Sequence, residues 1–244
     1  MQAMAAMGLR AVRGAAREVA RAFDRPDLTE LEGDSTFTNV ERDAEREIRA
    51  SLSQTYPEHG FGPEATAEFT WWIKAIDGSE NFARNLPHFA LVLVCMQKGQ
   101  AQHAIIVDPM RNEEFVASRG SGCRMNGAQL MRVNKDARLR NAIIALCSFR
   151  PGLTRALEEA GSDTRQTGSA ALDLAYVASG RLDAAVLAGA DASAVAAGSL
   201  LVAEAGGLVS DFDGGTANAA WGNAVAGARG VFRELLPLAR KSYG

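Results

Sequence analysis

The feature that most constrains the fold is a near-continuous apolar run at residues 89–97, Phe-Ala-Leu-Val-Leu-Val-Cys-Met-Gln. Such a run, followed by the turn sequence Lys98-Gly99-Gln100, is typical of a strand that is buried inside a sheet. Asp77-Gly78-Ser79 predicts a sharp turn before it. Apolar segments bounded by turn residues predict further strands at residues 69–76, 102–107, 114–118, 141–147, 184–187 and 208–211.

Helical spacing of apolar residues appears on both sides of these strands. Residues 3–23 form an amphipathic pattern that Pro26 ends, and residues 27–37 are predicted to be an irregular hairpin or loop. Thr38 is a good N-cap for a second helix that ends near Gln54. Further helices are predicted at 169–179, 193–205 and 231–241. Strands and helices come in runs rather than in strict alternation, which favours layered sheets and helices.

Length, charge and cysteine usage exclude several classes of protein. The 244 residues suffice for one large compact domain or for two lobes that share one core. The net charge of -3 gives no reason to expect direct binding to nucleic acid, and no direct nucleic-acid motif is found. Three cysteines without paired spacing are typical of reduced thiols in a cytosol. No stretch has the length and composition of a membrane span, so we expect a cytoplasmic protein with no membrane partner.

Four short stretches, in order along the chain, carry a family resemblance. The first, residues 73–82, is centred on Asp77-Gly78-Ser79, and the last, residues 194–207, contains Ala196-Ala197-Gly198. Both resemble the signatures of the inositol monophosphatase family. Residues 108–113 and 167–176 lie between them and are similar to the bacterial SuhB branch of that family. The resemblance covers nearly the whole chain, from the first helix to the last.

The resemblance implies an architecture and a chemistry. It implies an α/β layered fold, a five-layer α/β/α/β/α sandwich in one domain at 1–244, with lobes at about 1–140 and about 141–244. It also implies a homodimer that hydrolyses phosphomonoesters such as inositol phosphates with magnesium and is inhibited by lithium. In the family, carboxylates bind the metal ions, which polarise the phosphate and activate a water for in-line attack.

Carried over residue by residue, the resemblance assigns catalytic roles, weak or vestigial, to Glu64, Asp77 and Ser79. Glu64 and Asp77 are the expected metal ligands, and Asp191 is a candidate to replace a lost one. Glu41 lies where an aspartate near the metal site is usual. The expected phosphate or substrate contacts are Gly78, Ser79, Lys74, Gly168 and Ser169.

Three positions depart from the family pattern. Lys74 replaces the first metal-binding aspartate of the first signature, and Ala194 replaces the aspartate of the second. Leu187 replaces a glutamate that contacts substrate. Magnesium requires hard oxygen ligands in tight geometry, so we expect magnesium binding to be weak or absent. The Lys74 ammonium could instead pair with Glu64 and Asp77 in place of a cation, or hold a phosphate as a point charge.

Three hypotheses for function follow. The first is a catalytically impaired or inactive SuhB-like paralogue that acts through ligand or protein binding, with a protein partner in the transcription machinery. The second is an active magnesium-dependent phosphomonoesterase that hydrolyses inositol monophosphate or a related sugar phosphate, using Glu64, Asp77 and Asp191 with a single metal. The third is a sensor of a small phosphorylated ligand, a sugar or nucleotide. Trp71 and Trp72 are predicted to be packing residues rather than a binding platform.

Overall fold

The computed structural model describes residues 2–23, 25, 38–216 and 222–243. Pro26 and the loop predicted at 27–37 lie outside the described residues. The first two helices are α1 (Ala3–Phe23) and α2 (Asn39–Thr55). A capping box starts α2, because Glu41 N donates to Thr38 Oγ1 and Thr38 N donates to Glu41 Oε2, each at 3.2 Å.

The first sheet follows in simple chain order. Its strands are β1 (Gly60–Phe61), β2 (Phe69–Asp77), β3 (Ala90–Gln97), β4 (Gln100–Asp108), β5 (Glu113–Ser118), β6 (Cys123–Met125) and β7 (Gln129–Leu130), and the short helix α3 (Ser79–Ala83) follows β2. The strands pair antiparallel from β2 to β7, while β1 pairs parallel to β2. This meander places β3, the apolar run, between β2 and β4.

The second sheet has the strand order β11-β12-β10-β8-β9 and mixes parallel and antiparallel pairs. Its strands are β8 (Ile143–Leu146), β9 (Asp163–Arg165), β10 (Ala184–Leu187), β11 (Leu208–Ser210) and β12 (Ala224–Gly227). The remaining helices are α4 (Pro151–Glu159), α5 (Ala170–Ala178), α6 (Ala192–Glu204) and α7 (Arg229–Tyr243).

Five layers result from the packing of these elements. Helices α1 and α2 cover one face of the first sheet, α5 and α6 lie between the two sheets, and α4 and α7 cover the outer face of the second sheet. The predicted five-layer α/β/α/β/α sandwich is therefore confirmed. Within the described residues, no helix combines the length and apolar composition that crossing a bilayer requires.

Burial explains the sequence patterns of the central layers. Strand β3 is covered by α1 on one face and α6 on the other, so Ala90 to Cys95 are fully buried and the strand is apolar throughout. Helix α6 is buried on most sides because sheets flank it, and it packs closely on α5. A Cβ at Gly198 would overlap the Leu174 side chain of α5, which explains the glycine of the Ala196-Ala197-Gly198 motif.

The predicted helices and strands that lie on described residues are confirmed to within a residue or two at their ends. The turn predicted at Asp77-Gly78-Ser79 leads directly into α3, which was not predicted. Also missed were the short strands β1, β6, β7, β9 and β12, and α4, which starts at Pro151. Proline at the first helical position was the available signal for α4.

Candidate functional site

The candidate site is built around the end of β2 and the start of α3. Lys74 and Asp77 lie near the C-terminal end of β2. The register of the pairing between β2 and β3 shifts between these two residues. Gly78 follows with φ 98°, and a Cβ there would lie 3.0 Å from His88 O. Only glycine fits this position without strain, and it aims Ser79 back towards α2.

Glu41 is the centre of a hydrogen-bonded group that we call the Lys74 cluster, formed by Glu41, Lys74 and Ser79. Glu41 Oε1 accepts from Ser79 Oγ at 2.7 Å and from Lys74 Nζ at 3.3 Å, while its other oxygen caps α2. The Glu41 side chain is 1% exposed and that of Lys74 is 27% exposed. The buried carboxylate thus has a cation and a hydroxyl as partners, which a buried charge requires.

This pairing differs from the one expected for Lys74. Its hydrogen-bonded partner is Glu41, not Glu64 or Asp77. Asp77 receives only the longer-range charge of the ammonium, which acts to lower the pKa of that carboxyl. The reason is tertiary, because α2 brings the Glu41 carboxylate directly to the face of β2 that carries Lys74.

Asp77 is buried and serves the N-terminus of α5. Its Oδ2 accepts from Ser169 Oγ at 2.6 Å and from Ala171 N at 2.9 Å. Burial raises the pKa of Asp77, the two hydrogen bonds oppose that rise, and the charge of Asp191 adds to it. A carboxylate at a helix N-terminus is favoured by the unsatisfied N–H groups there, so this arrangement holds β2 to α5.

The residues predicted to contact phosphate or substrate on α5 lie next to Asp77. Gly168 packs against the side chain of Asn81, whose Nδ2 donates to His88 O at 2.7 Å and to Thr167 O at 2.9 Å. Ser169 is the N-cap of α5 and donates its hydroxyl to Asp77. Both residues therefore adjoin the predicted site, with polar contacts that are internal to the protein.

Thr167 and Asp173 complete this region and were missed as site neighbours. Thr167 Oγ1 donates to Asp173 Oδ1 at 2.7 Å. Burial raises the pKa of Asp173 to about 7; the Thr167 hydrogen bond opposes the rise and the charge of Asp77 adds to it. A carboxyl in the first turn of an otherwise apolar helix was the sequence signal that this side chain lies inside the protein.

The other predicted ligands do not gather around Asp77. Asp191 is exposed and caps α6, with its Oδ1 accepting from Ser193 N at 2.8 Å and from Ala194 N at 3.3 Å. Glu64 is exposed in the turn after β1. Ala194 and Leu187, the positions where the resemblance predicts lost carboxylates, are fully buried. Among the described residues, no three Asp, Glu, His or Cys side chains are grouped so that they could hold a metal ion.

Comparison with known proteins covers nearly the whole chain. The family model described as "Inositol monophosphatase family" matches residues 1–243. "Nus factor SuhB" of Pseudomonas aeruginosa is 39% identical, covering 97% of this chain and 95% of that protein. "Nus factor SuhB" of Haemophilus influenzae is 36% identical, covering 100% of this chain and 98% of that protein.

Solved structures agree with this relationship. SuhB from Bartonella henselae superposes with a TM-score of 0.90 at 28% identity, covering 98% of this chain and 99% of that one. An IMPase from Thermotoga maritima gives a TM-score of 0.85 at 28% identity, covering 94% of each chain.

Proposed function

Because this chain belongs to the inositol monophosphatase family, we propose that it is a catalytically impaired SuhB-like member that acts by binding a protein partner in the transcription machinery. The Lys74 cluster is the observation that carries this proposal. The family resemblance implies a metal-binding aspartate at position 74. The chain instead has Lys74 there, and its ammonium donates to Glu41.

The donor set of the site does not fit magnesium. Magnesium takes hard oxygen ligands, and the cluster offers one carboxylate that already accepts from a lysine, a serine and a backbone N–H. An ammonium about 4 Å from a divalent ion costs roughly 8 kcal/mol at an effective dielectric of about 20, taking twice the unit-charge value. Lys74 would have to leave Glu41 before an ion could approach.

The remaining carboxylates do not replace what is lost. Asp77 Oδ2 is used by Ser169 and Ala171, and Asp191 caps α6. Glu64 is exposed and makes no described contact with Asp77. Ala194 offers a methyl group where the family signature has a carboxylate. An active site with Glu64, Asp77 and Asp191 around a single metal would require Asp191 to leave its cap of α6 and Glu64 to turn in from the surface.

The charge balance also argues against the sensor of a phosphorylated ligand. One ammonium, that of Lys74, pairs with the carboxylate of Glu41 and acts on the carboxyl group of Asp77, on which the charge of Asp191 also acts. Without a metal ion, a phosphate group that approaches Ser79 meets an excess of carboxyl groups over cations. A phosphate ester is therefore a poor ligand for this site.

The relatives support the choice of a protein partner. The similar proteins of Pseudomonas aeruginosa and Haemophilus influenzae carry the name "Nus factor SuhB", which associates them with transcription. A protein that works by assembly needs the fold but not the metal. The homodimer and the cytoplasmic location remain predictions from the sequence, and both are compatible with this role.

The first test measures phosphate release from inositol 1-phosphate in millimolar magnesium. We expect no release above background from the native protein, because Lys74 and Ala194 remove two metal ligands. The double variant Lys74→Asp, Ala194→Asp should gain magnesium-dependent release. The matched control Lys74→Met, Ala194→Asp removes the ammonium but leaves position 74 without a carboxylate, and it should stay inert.

Efficient magnesium-dependent turnover by the native protein would overturn the proposal and favour the active phosphomonoesterase. Asp191 would then be the ligand to replace next. The partner is tested separately, by gel filtration of the native protein with purified RNA polymerase elongation complexes. We expect comigration that is unaffected by magnesium or inositol 1-phosphate, and a failure to comigrate contradicts the assembly role.

A further inference from the structure

The histidine that precedes β1 is held by side chains of the neighbouring elements. In the described part of the chain, β1 forms one edge of the first sheet, next to β2. The indole Nε1 of Trp71 on β2 donates to His59 Nδ1 at 3.0 Å. The His59 ring also stacks on Tyr56, the C-cap of α2, and on Phe69 of β2, with centroids 4.7 and 5.1 Å apart. Three aromatic side chains therefore fix the orientation of the imidazole.

The hydrogen bond from Trp71 fixes the protonation state of His59. An indole N–H is a donor only, so Nδ1 presents its lone pair and the proton of the neutral ring lies on Nε2. Trp71 is fully buried, so water does not replace the imidazole as an acceptor. An imidazolium carries a proton on both nitrogens and would set two donors against each other. Protonation of His59 is therefore incompatible with this contact.

The charged and titratable groups around this contact come from several elements. Glu58 precedes His59 in the chain, and Glu68 precedes β2 and accepts from a glutamine of β3. Helix α2 contributes Arg49, which lies 4.7 Å from the centroid of the phenylalanine ring in β1, and its cap Tyr56 is stacked on the imidazole. Burial lowers the pKa of His59, and the charge of Glu58 opposes that lowering. The folded surroundings therefore favour the neutral imidazole.

We propose that His59 is an acid-sensitive latch, which holds β1 and the turn after it on the edge of the first sheet and releases them when its imidazole is protonated. Among the described residues, the pairing of β1 with β2 covers two positions, Gly60 and Phe61. One further bond runs from Gly62 N to Trp71 O at 2.9 Å. So short a parallel pairing is weak by itself. Its release leaves this part of β2 as an open sheet edge, a template for pairing with another strand.

The direction of the pH effect follows from the two states of the latch. In the latched state the pKa of His59 lies below the ordinary value of about 6.5 that it regains in the released segment. Below that value the released state binds more protons, so acid favours release. As the pH falls below about 6.5, the equilibrium constant for release should rise by up to about tenfold per pH unit, until the pH reaches the pKa of the latched state.

Hydrogen exchange of the Gly62 amide, followed in ¹⁵N–¹H spectra of the full chain, measures release. Between about pH 7 and about pH 5 its protection, corrected for intrinsic exchange, should fall by up to about tenfold per pH unit. Protection of the amides of β3, inside the sheet, should not follow this fall. Constant protection of Gly62 across this range overturns the proposal.

Variants assign the effect to His59. His59→Asn keeps an acceptor for the Trp71 indole but does not titrate, so protection of Gly62 should no longer depend on pH. The matched control His103→Asn removes another histidine of the same sheet, one that contacts a serine hydroxyl at 2.9 Å, and it should leave the pH dependence of Gly62 in place. An acid-induced loss in His59→Asn as large as in the native protein overturns the proposal. So does a native His59 ring resonance that titrates at or above about pH 6.5, a measurement that needs no variant.

Discussion

Lys74 and Trp72 lie two residues apart on β2, yet their polar groups are in opposite states. The ammonium of Lys74 has a buried carboxylate 3.3 Å away, and that carboxylate is itself held by Ser79 and by the start of α2. The indole N–H of Trp72 is buried and has no described partner, nor has the buried Ser199 hydroxyl of α6.

The difference lies in which helix faces each side chain. Helix α2 is amphipathic and brings Glu41 to Lys74, whereas α6, which also contacts β2, is apolar on nearly all sides. A saturated polar group contributes to the stability of the fold. A buried polar group without a partner costs stability instead. The comparison therefore separates polar groups that stabilise the fold from polar groups that weaken it.

The largest effect on stability is expected from a substitution in the Lys74 cluster. Glu41→Ala should lower the free energy of unfolding by roughly 3 to 5 kcal/mol, because it leaves Lys74 as a partly buried cation without its partner and uncaps α2. Urea denaturation measures the change. Adding Lys74→Met to Glu41→Ala should recover much of the loss, since no buried charge then remains. Equal stability of the single and double variants would show that the ion pair does not control the loss.

A second prediction extends the comparison to Asp173, a buried carboxyl with a hydroxyl partner and no described cation. Burial raises the pKa of Asp173 from 3.8 to about 7 in the folded protein. Between these values the folded state binds more protons than the unfolded chain, so stability falls as the pH rises.

Asp173→Asn should remove this dependence. From about pH 5 to about pH 8, native stability should fall by roughly 2 to 3 kcal/mol more than that of the variant, as measured by urea midpoints at both pH values. The amide oxygen of the variant can still accept from Thr167. Parallel pH profiles for the two proteins would mean that Asp173 titrates in the folded state as it does in the unfolded chain.

The smallest effects form a matched pair of serine substitutions. Ser79→Ala removes a hydroxyl that donates to Glu41 at 2.7 Å and should cost about 1 to 2 kcal/mol. Ser199→Ala removes an orphaned hydroxyl and should change stability by less than about 0.5 kcal/mol, or raise it. Thermal melting of both variants measures the contrast. Similar losses of stability for the two would show that a hydroxyl with a partner and one without contribute equally.

Much of the fold could be predicted because its strongest signals are local. The apolar run at 89–97, the amphipathic pattern at 3–23 and the Thr38 cap each specify an element from a few neighbouring residues. The signatures around Asp77 and Gly198 carry the family resemblance, and that resemblance implies how the elements are arranged in layers. The missed short strands are defined by pairing in a sheet rather than by a repeating pattern. Helix α3 was missed because it starts at a turn at Gly78.

The sequence by itself determined the family and the layered architecture, and it predicts that Lys74 and Ala194 replace family aspartates, since each depends on which residue occupies a position in a motif. Only the tertiary structure decided that Lys74 pairs with Glu41, that Asp77 serves the N-terminus of α5, and that Trp72 Nε1 and Ser199 Oγ are buried without a described partner. The physical reason is range, because hydrogen bonds and charge pairs depend on distances of a few ångströms between residues far apart in the chain.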